Sequence, residues 1–269
     1  MNVKDRTMKR SLHIYLLLIC QSIPLLILLL SCRPIDPQQK ETHPIQHDLW
    51  SEVLKEFVND AGEVNYAALK IQPQKLLAYL ELLAKNTPND QYWNSSEKLA
   101  YWINLYNAFT LKLIIDYYPV KGIKDIGTAI QIPFINTPWD IKLINLGNEK
   151  LSLNQVEHEI LRSQFKEPRI HFAINCASIS CPKLRRDAYR ADRLEQQLSE
   201  QAYLFLNDPS KNKISSDTLQ FSKIFDWFSK DFINDKTFYE NLSVWSGKII
   251  PPDVTPTFLD YNWSLNEQL

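Results

Sequence analysis

The chain has 269 residues, 45% of them hydrophobic, and its seven Trp, 12 Tyr and 12 Phe supply enough apolar area for one well-packed core without obligatory metals or disulfides. Thirty basic against 31 acidic residues give a net charge of −1, which argues against nucleic acid as a partner. Its five glycines, at 62, 122, 127, 147 and 247, are too scattered for a phosphate loop, a dinucleotide fingerprint or a Gly-x-Ser-x-Gly elbow, so no cofactor is expected by those routes.

At the N-terminus, Lys9 and Arg10 precede an apolar run over 12–30 that ends in Leu29-Leu30-Ser31-Cys32. This resembles a bacterial lipoprotein signal peptide. The resemblance implies removal of residues 1–31, lipid on the Cys32 sulfur, and a mature chain held at a cell-envelope membrane: the outer membrane, or one facing the periplasm, in a Gram-negative cell. The run is also nearly long enough for an uncleaved span, at about 20 residues, but Gln21 and Pro24 interrupt it. The leader carries four basic residues and one acidic, so the mature chain comes to about −4. Residues 33–47, with Pro34, Pro37 and Pro44 among polar residues, read as a flexible tether in which His43 and His47 are solvated. A single domain is expected over 48–269.

Helical spacing predicts helices over 48–59 and 75–84, with a turn at 60–62 between them. The long helix is 97–118, capped by Ser95 or Ser96 and stopped by Pro119, with a narrow wet face at Tyr101, Ala108, Lys112 and Asp116. It reads as a central buried helix. Asn104 and Asn107 share a face of it, and a buried amide needs partners, either to tie the helix to a neighbouring loop or to line a pocket. Apolar segments over 123–127 and 130–135 lead to Trp139, an expected core or edge anchor, and to a strand over 141–146 that turns at Gly147-Asn148.

Ser152-Leu153-Asn154-Gln155 then forms a capping box opening a helix to about residue 164. On its wheel Glu157 falls in the middle of the apolar stripe and His158 on its border. An inward carboxylate must be paired, hydrogen-bonded or protonated. Arg162, Arg169 or Arg185 could pair it; alternatively Glu157 and His158 face a site. Pro168 opens an expected strand over 169–175, bearing His171 and Asn175, which leads to Cys176, Ser178, Cys181 and Pro182. These are the two cysteines of the domain, in a Cys-x4-Cys loop. If 171–176 is extended, His171 and Cys176 lie about 16 Å apart on opposite faces, which makes His158 the better base. A helix over 192–206, a strand or hairpin arm over 214–221, an aromatic helix over 223–232, and a tail of helix followed by irregular chain complete the pattern. With no His-Glu-x-x-His or Cys-x-x-Cys pair, no metal site is expected.

The fold expected is α+β: a central buried helix, with further helices packed on a small, mostly antiparallel sheet. Residues 97–108 (EKLAYWINLYNA), Pro138-Trp139-Asp140, Glu157-His158, Ile170-His171-Phe172-Ala173 with Asn175-Cys176-Ala177-Ser178, Cys181-Pro182, and Phe221-Ser222-Lys223-Ile224-Phe225 with Trp227 and Asp231-Phe232 resemble the domain of unknown function 547 family, over about 50–245. A helix followed by a His-bearing strand is also similar to transglutaminase and papain-like folds. There the nucleophilic Cys starts the central helix; here that helix has none.

Three readings of the Cys loop compete. Cys176 and Cys181 form a disulfide staple, worth about 2 kcal/mol; or Cys176 is a thiolate nucleophile with His158 as base and Glu157 or an Asn as orienter, in a hydrolase or acyl transferase acting on peptide-like substrates; or Asn104, Asn107, Glu157, His171 and Asn175 form a pocket for a small molecule or peptide, rigidified by the cysteines.

Overall fold

The computed structural model describes residues 41–127, 137–147, 149–215, 217–233 and 236–268. The leader, the Cys32 lipidation position, the tether up to residue 40 and the apolar segment 130–135 lie outside the described residues. Among the described residues no helix is long and apolar enough to cross a membrane.

Helix α1 (Asp48–Phe57) packs on α2 (Tyr66–Ile71) and α3 (Gln74–Lys85), and these two pack on α4 (Ser95–Tyr117), the central element. The α4 N-cap is Asn94, one residue before the expected serines: its side chain accepts from the Glu97 amide at 3.0 Å while the Glu97 carboxylate accepts from the Asn94 amide at 2.7 Å. The helix is buried almost all round from Leu99 to Ile115. This corrects the expected wet face, since Tyr101 and Ala108 are both buried. Tyr101 is admitted because its hydroxyl donates to the Leu83 carbonyl at 2.9 Å, and the exposed strip shrinks to the last turn around Asp116.

The approach to α1 is also packed rather than solvated. His47 is 6% exposed and its Nδ1 lies 2.7 Å from the Tyr79 hydroxyl. Thr42 is held by Trp93 and Asn89, whose side chains donate to its carbonyl at 3.1 and 2.9 Å.

Strands β1 (Ile144–Leu146) and β2 (Glu149–Leu151) form an antiparallel hairpin turned through Gly147, whose φ of 62° suits glycine. The Ser152–Gln155 capping box then opens α5 (Gln155–Leu161), which is π-helical and runs on as an α-turn over Arg162–Gln164. The segment expected as a strand over 169–175 is instead a helical turn, α6 (Ile170–Ala173). Every residue in it is buried, so the alternation of Ile170, Phe172 and Ile174 does not mark one wet and one dry face; a short, fully buried run carries no usable period. Helix α7 (Leu194–Asn207), strands β3 (Lys213–Ile214) and β4 (Leu219–Phe221), the short α8 (Ile224–Trp227), a 3-10 turn at Ser229–Phe232 and α9 (Phe238–Ser246) follow. Finally β5 (Thr257–Phe258) pairs parallel to β4, itself antiparallel to β3.

The class is α+β; among the described residues the strands form a two-stranded and a three-stranded sheet. Two apolar clusters fill the body. One surrounds α4; the other is built on Phe172, Phe205, Phe221, Phe225 and Phe232. Helix α6 belongs to both, sending Ile170 and Ala173 into the first and Phe172 into the second.

Candidate functional site

A cavity of about 190 Å³ opens where residues of both clusters meet, with Tyr106 and Ile174 from the first and Ile224 and Phe228 from the second. Its size suits one side chain rather than a drug-sized ligand, for which about 300–1,000 Å³ is usual. Trp139, Trp227, Tyr261 and Trp263 supply aromatic walls; Glu157, His158, His171, Cys176 and Cys181 supply the chemistry.

Glu157 is 8% exposed. None of the three candidate arginines pairs with it: Arg162 binds Asp231, Arg169 binds Glu167 and Glu195, and Arg185 binds Asp187 and Glu200. Its hydrogen bond comes from the Tyr106 hydroxyl at 3.2 Å, reaching across from α4. Burial first, and then the Glu157 charge, push the Tyr106 phenol well above its ordinary range, so it stays a donor. The π-helical stretch helps place this pair. The Arg162 amide bonds to the Glu157 carbonyl five residues back, which widens the turn and carries Glu157 inward and His158 to the rim.

His171 lies in the wall, buried, stacked on Phe228 with ring centroids 4.1 Å apart. Its Nε2 is 2.8 Å from Asp231 Oδ2, and Arg162 Nη2 donates to Asp231 Oδ1 at 2.8 Å. Burial works against the Asp231 charge, but hydrogen bonds from Arg162 and His171 outweigh it and hold this carboxyl far below the usual range. An ionised acceptor on Nε2 makes that nitrogen the donor and orients the ring. Arg162 Nη1 also meets His158 Nδ1 at 2.8 Å. The helical turn of α6 shortens the path from His171 to Cys176, and both residues line the same cavity, which overturns the separation expected for an extended segment.

Cys176 and Cys181 are joined in a disulfide, with Cα atoms 6.2 Å apart. The Tyr261 hydroxyl lies 3.2 Å from Cys181 Sγ and 3.3 Å from Cys176 Sγ; Ser178 Oγ is 3.2 Å from each. The Cys176 amide donates to Cys181 Sγ at 2.9 Å.

Asn104 and Asn107, expected either to tie the central helix to a loop or to line a pocket, both bond to backbone. Asn104 exchanges two hydrogen bonds with the Tyr189 backbone. Asn107 donates to the Ala173 carbonyl at 3.0 Å and accepts from the Asn175 amide at 2.8 Å, fixing the entry to the Cys loop. Asn175 in turn holds the Pro182 carbonyl and the Ala177 amide, both at 2.7 Å. Asn175 and Ser178 line a neighbouring hollow of about 760 Å³, which shares Cys181 and Pro182 with the first. Among the described residues no group of three or more His, Cys, Asp or Glu side chains is placed to hold a metal.

In the sequence Asp231 has no role beyond the resemblance, Tyr106 reads only as a buried residue of the central helix, and the tail residues Tyr261 and Trp263 carry no assignment. Tyr106 had a usable signal, since it shares the buried helix with the two Asn residues. The tail had none.

The fold and site thus define an α+β domain with an aromatic-walled cavity edged by a disulfide. Residues 91–206 match the model of a protein family of unknown function, DUF547, which supports the resemblance carried by the sequence motifs. Comparisons with curated proteins and with solved structures found no match. The matched segment holds α4, α5, α6 and the Cys loop, while Trp227, Phe228, Asp231, Tyr261 and Trp263 lie beyond it.

Proposed function

We propose that the protein is a lipid-anchored envelope protein whose cavity carries out thiol-dependent acyl transfer, as a hydrolase or acyl transferase, on peptide-like substrates. The observation that carries this reading is the opening of Cys176 onto the same cavity as a His171 ring already oriented by an ionised carboxylate. In the reduced protein, Nδ1 of His171 takes the Cys176 proton, the thiolate adds to a substrate carbonyl, and the imidazolium returns the proton to the leaving group. Asp231 supports the imidazolium. The base is therefore His171 rather than His158, while Glu157 and the aromatic walls seat one substrate side chain. Membrane attachment rests on the leader pattern ending at Cys32.

A second reading is favoured by the closed disulfide: a binding module whose loop is stapled and has no free thiol. One experiment separates the two. Purified protein is treated with a dithiol under native conditions and then with a chromogenic acyl ester. The enzymatic reading expects an acyl adduct on Cys176 by mass spectrometry, formed about 100-fold more slowly in His171→Ala. Absence of an adduct on reduced protein, or equal rates in the variant, leaves the binding module.

A further inference from the structure

The two sulfurs of the Cys loop are not equivalent. Cys181 is 4% exposed, whereas Cys176 is half-buried, and both face the cavity. Cys181 Sγ accepts from the Cys176 amide at 2.9 Å, with the Ser178 and Tyr261 hydroxyls each 3.2 Å away. Burial pushes the Tyr261 phenol up, so it keeps its proton as a donor. Both hydroxyls also lie within 3.3 Å of Cys176 Sγ, so the donor that distinguishes Cys181 is the Cys176 amide, which adds to the two shared hydroxyls. A third donor at Cys181 suits a thiolate there, because hydrogen bonds to a charged acceptor are about twice as strong as neutral ones.

Nor does the loop depend on its covalent bond for shape. Its amides at Ile179 and Ser180 donate to the tail carbonyls of Ser264 and Asn262 at 2.8 and 3.2 Å, the Asn266 amide donates to the Ala177 carbonyl at 3.2 Å, and Asn175 clamps both ends of the loop. A staple there adds little order.

We propose that Cys176–Cys181 is a redox-active disulfide that exchanges with thiol substrates, with Cys176 as the attacked sulfur and Cys181 as the departing thiolate. In the first step a substrate thiolate forms a bond to Cys176 Sγ; the Cys176–Cys181 bond breaks and its electron pair stays on Cys181 Sγ, within the three donors. In the second, another substrate thiolate attacks the substrate sulfur of this mixed disulfide, releasing Cys176 as a thiolate that takes a proton from solvent. Two substrate thiols are oxidised to one disulfide and the protein disulfide is reduced to a dithiol. The reverse sequence serves a substrate disulfide. A low-pKa leaving thiol makes the first step fast and the reduced form stable.

This chemistry does not require acyl transfer, and its test is separate. The folded protein is equilibrated in glutathione buffers of graded ratio, quenched by alkylation and read by mass, while thiolate absorbance at 240 nm follows the reduced protein against pH. The expected results are a midpoint within the glutathione range and a thiolate titrating well below the free-cysteine value of about 8.5. Tyr261→Phe and Ser178→Ala should each shift the exchange equilibrium about tenfold toward the disulfide, with folding verified by circular dichroism. A mixed disulfide trapped with one glutathione should map to Cys176. Resistance to glutathione until the protein is unfolded overturns the proposal. So does a thiolate titration near 8.5 that neither variant moves, and this second readout stands even if one variant fails to fold.

Discussion

Lowering the pH from 7.5 to 4.5 should destabilise this domain through one residue, His47. Its pKa is pulled from 6.5 to about 4, first by burial and then by the Arg190 guanidinium, with Asp48 opposing weakly. The Tyr79 hydroxyl sits 2.7 Å from its Nδ1, and the Trp50 ring stacks on Tyr79 at 5.5 Å. Because the folded pKa lies below the unfolded one, the unfolded chain binds the extra proton between about pH 6.5 and 4. Stability from this group is therefore fully present above pH 6.5 and is lost as the pH falls toward 4. At pH 4.5 the loss is about 2.5 kcal/mol, and it approaches about 3 kcal/mol below pH 4. Urea unfolding of wild type and His47→Phe at both pH values isolates this contribution, since other groups titrate in both proteins. The variant is expected to start less stable, having lost the Tyr79 hydrogen bond, but to lose about 2.5 kcal/mol less on acidification. Equal losses would mean that His47 is solvated and that residues 42–47 do not pack.

Four further outcomes follow from single contacts. Asn107→Ala strips partners from the Ala173 carbonyl and the Asn175 amide, both buried, and should cost about 2–4 kcal/mol in denaturant unfolding. Asp231→Asn leaves the Arg162 guanidinium and the His171 ring without a charged acceptor; alkylation of Cys176 in the reduced protein should slow by about tenfold or more, measured against pH. Gly122→Ala would place a Cβ 2.4 Å from the Trp263 carbonyl, so the tail must shift, costing about 1–3 kcal/mol and changing Trp fluorescence. Tyr189→Phe removes a buried hydroxyl that has no hydrogen-bond partner among the described residues and should raise stability by about 1 kcal/mol in thermal unfolding.

What the sequence disclosed of this site followed from misplaced polarity. Glu157 stood out because a carboxylate on an apolar stripe needs an explanation, and it is the cavity's buried acid. Asn104 and Asn107 stood out for the same reason, yet a buried amide is satisfied equally well by a backbone as by a ligand, and here both serve backbones. The expected strand through His171 failed because α6 is buried on every side, and a period has meaning only where one side is wet. His47 was misread because a Pro-rich, polar stretch looks solvated by composition; the Tyr79 hydroxyl that admits it lies 32 residues away in sequence.

The tail presents a different kind of illegibility. From Thr257 onward the chain has almost no regular structure, yet it completes the sheet at β4, supplies Tyr261 and Trp263 to the cavity and pins the Cys loop through Asn262, Ser264 and Asn266. Its anchors include pairings between residues 82 and 200 positions apart, Asn262 with Ser180 and Asn266 with Tyr66. Local pattern cannot encode those, because an isolated extended segment gains nothing until its partners exist. The same fact explains why the tail belongs to the site. One of the sulfur donors, Tyr261, part of the aromatic wall, Tyr261 and Trp263, and the loop's backbone acceptors come from one stretch held by its partners rather than by its own propensity. A substitution that loosens its docking, such as Gly122→Ala, should therefore disturb sulfur reactivity and cavity shape together, while the helices around α4 retain their packing.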